Sequence, residues 1–186
     1  VEDIVRLIVI SSPDEKAVKP LLKVRKELNV AFGCSAALSY PIHVTLRTGF
    51  LVPRFQLDTF FQDWEFYLKN SHGPTIETEG VVSGEYSSEG RLKGFVGLSV
   101  FLSKELKDFH IFLLGKSEFQ KGPQPAFHPH VTLLFDDFPP EKIAHALEWL
   151  EEWQESWKRP WVWRTDTVGM YVHENGFWVP KKVCPV

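Results

Sequence analysis

His43-Val44-Thr45-Leu46 recurs, residue for residue, as His130-Val131-Thr132-Leu133, and this repeat decides the reading of the chain. Each copy is short, apolar at alternate positions and β-branched, so each reads as a strand. Side chains alternate along a strand, so each His shares a face with its Thr while Val and Leu enter the other face. Two such strands related by a twofold axis would bring two imidazoles and two hydroxyls to one place.

The flanking sequence repeats with the motif. Ile4 to Ile10 reads as a buried strand, and Ser12-Pro13-Asp14-Glu15 has the spacing of a capping box with proline at the first helical position. Pro20 then predicts a kink or a restart of that helix. The first motif lies in a strand over Ile42 to Phe50. Leu57, Phe60, Phe61, Trp64 and Leu68 mark an amphipathic helix, Ile76 to Glu85 a strand, and Ser87-Ser88-Glu89-Gly90 a turn. The order then starts again. Phe95 to Leu102 is a strand, and Ser103 caps a helix carrying Leu106, Phe109 and Leu113. Gly115 to Pro125 reads as a loop, and Val131 to Phe135 as a strand. Pro139-Pro140 opens a helix with Ile143, Leu147, Leu150, Trp153 and Trp157 on one face. Val162 to Val172 and Phe177 to Val179 are strands about an Asn175-Gly176 turn. Each half reads strand, helix, strand, helix, strand. The expectation is a duplicated α+β fold in a single domain over 1–186, with pseudo-twofold halves at roughly 1–93 and 94–186.

Composition narrows the function. The 186 residues carry 21 basic and 24 acidic side chains, a formal net charge of -3. Neither half is basic, which disfavours nonspecific binding of long duplex nucleic acid, where phosphate neutralisation supplies most of the affinity. A nucleotide or an RNA end fits better. Cys34 and Cys184 lie outside any CxxC spacing, no run is long enough to span a membrane, and the start lacks a signal-peptide layout. A cytoplasmic monomer is expected.

Paired histidines and threonines suit a phosphodiester. One imidazole acts as general base and the other protonates the leaving oxygen, both with an unperturbed pKa near 6.5. The threonine hydroxyls hydrogen-bond non-bridging oxygens. On these two motifs the chain resembles the 2H phosphoesterase superfamily, defined by paired H-x-T-hydrophobic motifs. The wider Phe127-His128-Pro129-His130-Val131-Thr132-Leu133 looks like its bacterial RNA 2′,5′-ligase-like branch, whereas Arg47-Thr48-Gly49 departs from that branch. The resemblance implies two lobes, each an antiparallel-rich sheet with helices outside, and a groove between them. It also implies hydrolysis of 2′,3′-cyclic phosphates without metal or cofactor. The family's catalytic pairs fall on His43 with Thr45 and on His130 with Thr132, with His130 as base and His43 as acid. RNA 2′,5′-ligation and nucleotide binding without turnover are the alternatives.

Other candidates are weaker. Arg47 continues the alternation and would face the groove to hold phosphate. Phe127 and Tyr171 are candidates for stacking on a base. His128 with His130 is too small a set for zinc, which takes three or four protein ligands. His173 reads as a solvated hairpin residue, and His72, His110 and His145 read as incidental.

Overall fold

The computed structural model describes residues 3–69, 71–88, 90–115, 126–157, 160–174 and 177–186. The chain order is β1 (Ile4–Pro13), α1 (Glu15–Phe32), β2 (Val44–Pro53), α2 (Leu57–Lys69), β3 (Thr75–Ser88), β4 (Arg91–Val100), α3 (Lys104–Gly115), β5 (His130–Leu134), α4 (Ile143–Trp157), β6 (Val162–Glu174) and β7 (Phe177–Pro185). This is the expected order. The Gly115 to Pro125 loop falls almost wholly outside the described residues, as do the Asn175-Gly176 turn and Glu89.

Two local expectations are corrected. The cap of α1 is Asp14, whose carboxylate accepts from Ala17 N at 2.7 Å, so Pro13 ends β1 rather than starting the helix. Pro20 lies inside α1, which runs through it without a break. Its ring removes the bond to the Lys16 carbonyl, and burial of Leu21, Val24 and Leu28 outweighs that loss. Ser103 caps α3 as expected, its hydroxyl accepting from Leu106 N at 3.1 Å.

The strands form one sheet, ordered β1-β2-β5-β4-β3-β6-β7, and β6 also pairs with β1. Every described pairing is antiparallel. Exchanging β1 with β4, β2 with β5 and β3 with β6 leaves the pairing list unchanged, apart from β7. That is the signature of a duplication. The third strand of each half, however, pairs with the first strand of the other half, β3 with β4 and β6 with β1.

Helices cover one face. α1 packs on β5, α3 on β2, α4 on β3 and β4, and α2 on β7. Beneath them the sheet presents Val5, Leu7 and Val9 of β1, Val96, Leu98 and Val100 of β4, and Val168, Met170 and Val172 of β6, all buried. Each fully buried aliphatic side chain contributes about 1.5–3 kcal/mol. Asn29 of α1 joins the layers by donating to the Leu133 carbonyl at 2.8 Å. The opposite face, with Arg6, Ile8 and Ser12 on β1 and Phe95 and Ser99 on β4, is exposed or half-buried.

Both cysteines are free and buried. No helix among the described residues is long and apolar enough to cross a membrane.

Candidate active site

β2 and β5 meet through the pair Val44↔Val131. In an antiparallel pair, one step either way along that register sets His43 across from Thr132 and Thr45 across from His130. The neighbouring strands extend these rows. On one side Ile10 faces Thr45, and on the other Ser99 faces His130 and Gly97 faces Thr132. Across the face without helices, one row therefore reads Gly169, Ile10, Thr45, His130, Ser99. The next reads Thr167, Ser12, His43, Thr132, Gly97. All four motif residues are half-buried, in contact with protein yet reached by solvent.

The two imidazoles are held alike. His43 Nδ1 lies 2.8 Å from the Pro41 carbonyl and His130 Nδ1 lies 2.9 Å from the His128 carbonyl, each two residues upstream. A carbonyl oxygen only accepts, so both Nδ1 atoms carry the proton and donate it. Each Nε2 is left as the nitrogen that gives or takes a proton. The ring of Phe95 stacks on His130 with centroids 5.2 Å apart. Crowding by protein pushes the pKa of His43 down. The Pro41 bond opposes this, and the charges of His130 and Arg25 add to it.

Arg25 was not singled out in the sequence, where it is one of several charges on an amphipathic helix. It is 4% exposed, and its Nη1 donates to the Tyr40 carbonyl at 2.8 Å. That bond fixes the backbone immediately before Pro41, whose carbonyl orients His43.

Arg47 is not brought to the motif residues. Thr45 pairs with Ile10 but Arg47 pairs with Val9, so Leu46 is an extra residue and the alternation is reset there. β5 repeats the irregularity, with Thr132 on Gly97 and Leu134 on Val96. Arg47 thus takes the place that Leu134 holds in the second half, on the helix-covered side, and is 4% exposed. His110 of α3 reaches the same region. Its Nδ1 donates to the Leu46 carbonyl at 2.7 Å, and burial followed by the Arg47 charge lowers its pKa. His110 also stacks on Phe127, centroids 3.8 Å apart and rings nearly parallel. Phe127 therefore packs on a protein ring beside the core, and His110 is a structural group with partners, not an incidental one.

Tyr171 does lie on the helix-free face, opposite Ile8 and half-buried, with its pKa raised by burial. A Cβ on Gly169 would meet the Tyr171 ring at 2.7 Å, so the ring leans over Gly169 toward the row of Ile10 and Thr45. His128 is exposed and offers its carbonyl to His130. No group of three or more His, Cys, Asp or Glu side chains among the described residues is arranged to hold a metal ion.

No family model matches the sequence, and no curated protein matches it. Solved structures do match over the full length. The apo form of Escherichia coli LigT superposes with a TM-score of 0.57 at 17% identity, covering 99% of this chain and 98% of that one. LigT complexed with NADP+ gives 0.58 at 16%, with 99% of both chains covered. A structure described as a phosphoesterase gives 0.59 at 15%, again covering 99% of both. The chain has the 2H phosphoesterase fold, as the paired motifs led us to expect.

Proposed function

We propose that the protein is a phosphodiesterase that opens 2′,3′-cyclic phosphates on nucleotides or RNA ends by acid-base catalysis between His43 and His130. The observation that carries this reading is the matched pair of imidazoles, each with Nδ1 tied to a carbonyl and each across the strand pair from a threonine. In this reading the neutral Nε2 of His43, whose pKa is lowered chiefly by burial with His130 and Arg25 adding to it, takes a proton from water. The new P–O bond forms as the bond to one ribose oxygen breaks. Nε2–H of His130 delivers the proton that this oxygen needs. The hydroxyls of Thr45 and Thr132 donate to the non-bridging oxygens as charge builds on them. Water and cyclic diester become a phosphomonoester with a free hydroxyl, and the two histidines exchange protonation states. This assignment makes His43 the base and reverses the one that family resemblance implies. The solved structures of LigT with NADP+ and with 3′-AMP support a nucleotide ligand.

Neither proton transfer needs a Lewis acid, so turnover is proposed to be independent of metal. The test is incubation with 2′,3′-cyclic mononucleotides, with and without EDTA, followed by chromatography of the products. A phosphomonoester formed at the same rate in both supports the reading. Return of intact substrate from both overturns it.

A further inference from the structure

The two halves differ in one respect that bears on what the site holds. Eighty-seven positions separate His43 from His130, and the same offset relates Arg6 to Lys93, Gly49 to Asp136 and His173 to Tyr86. The pairings confirm the equivalence, with Ile10 facing Thr45 as Gly97 faces Thr132 and Ile8 facing Tyr171 as Phe95 faces Gly84. Gly49 and Asp136 even share a left-handed backbone, at φ 57° and 69°.

Around Asp136 the cation is neutralised. Lys93 Nζ lies 2.5 Å from Asp136 Oδ1, and Tyr86 donates to the same oxygen at 3.4 Å. In the first half the carboxylate is missing, because a glycine stands in its place. A Cβ on Gly49 would lie 3.1 Å from Arg6 Nη2, so the guanidinium sits directly over the position an aspartate would occupy. Arg6 is exposed and has no carboxylate within ion-pair distance among the described residues. The nearby Glu174 is shared by Lys181 at 3.0 Å and Arg54 at 4.0 Å. Arg6 instead lies over the Trp178 ring, 5.8 Å from its centroid, and His173 packs edge-on against that ring at 5.0 Å.

Arg6, Ile8 and Ile10 share the face of Thr45. Four residues along a strand are about 13 Å, which places Arg6 beyond the sugar of the reacting nucleotide. A cation beside two aromatic rings is the combination that holds single-stranded nucleic acid, with phosphate on the charge and base on the ring. We infer that Arg6, Trp178 and His173 form a subsite for the phosphate and base upstream of a cyclic end, so the substrate is a short single-stranded RNA lying along the β1–β6–β7 arm. The opposite arm, where Asp136 answers Lys93, takes no such chain.

This rests on the proposed phosphodiesterase activity and is tested separately from it. The wild-type protein is given 2′,3′-cyclic-phosphate substrates of one and three nucleotides, and the ratio of their kcat/KM values is read. The trinucleotide is preferred, and Arg6→Met lowers the preference about tenfold or more, the loss expected for one charge-assisted bond. Gly49→Asp does the same by supplying the missing carboxylate, in a backbone conformation that Asp136 already adopts. Lys93→Met leaves the preference in place. A wild-type ratio near one, or a ratio that neither Arg6→Met nor Gly49→Asp changes, overturns the inference. If no cyclic substrate is turned over, the phosphodiesterase reading fails, and binding of a trinucleotide 3′-phosphate, followed by tryptophan fluorescence, carries the test. Weaker binding to Arg6→Met than to wild type supports the subsite, and equal binding overturns it.

Discussion

His43 and Arg25 are linked through three residues of backbone: the guanidinium holds the Tyr40 carbonyl at 2.8 Å, and the next carbonyl, of Pro41, holds His43 Nδ1 at 2.8 Å. The same arginine thus acts on the imidazole twice, by aiming it and by disfavouring its charged form. Arg25→Met should lower kcat and move the acid limb of the kcat/KM profile upward. Glutamine, which keeps a donor but not the charge, should restore part of kcat while the limb stays high. A pH profile of each variant checks this.

Replacing either His43 or His130 by Ala should reduce kcat by about 10²- to 10⁴-fold, the usual range for a general acid or base. Thr45→Ala and Thr132→Ala should each cost about 1.5–3 kcal/mol in kcat/KM. Near-normal turnover by His130→Ala would count against the paired mechanism.

A substrate with an activated leaving group separates the two roles, because its leaving oxygen needs no proton. His130→Ala should recover much of its rate on such an ester and His43→Ala should not. Recovery by His43→Ala alone would restore the opposite assignment.

The lowered pKa of His43 also affects stability. Below about pH 6.5 the unfolded chain binds this proton more readily than the folded one. Stability should therefore fall as pH drops from 6.5 through the folded value, and be unaffected by His43 above it. Denaturant unfolding of wild type and His43→Gln at pH 7.5 and 5.5 checks this. The variant should lose less stability between the two.

Gly97 faces Thr132, and a Cβ there would meet the Val131 carbonyl oxygen at 2.2 Å. Backbone must move to admit it, and it is the backbone that carries the second motif. Gly97→Ala should lower stability by about 1–3 kcal/mol and reduce kcat, whereas alanine at Gly90, in open space but at φ 73°, should affect stability only. Thermal unfolding and turnover of the two variants make the comparison.

The repeat of His-Val-Thr-Leu, the order of elements and the shared face of His and Thr were legible because they depend on local periodicity. Arg47 was misplaced because its direction depends on an extra residue, Leu46, that shows only in the register with β1. Ser12 reads in sequence as a helix cap, yet it lies in the row of His43, as Ser99 lies in the row of His130. Pairing between distant strands makes these neighbours, and no local pattern encodes it. Arg25 was hidden for a related reason: its α1 position looks solvated until the turn around Tyr40 closes over it.

The crossing of β3 and β6 between the halves bears on how such a chain arises. If the link between Ser88 and Arg91 were cut, the third strand of each piece would find the first strand it pairs with only in the other piece. The pairing has the form of two interlocked subunits exchanging an arm, fused into one polypeptide. A homodimer of half-length chains would pair its strands in the same way, but with two identical arms flanking its histidines. Within one polypeptide the two arms are free to differ, and Asp136 in one and Gly49 in the other is such a difference.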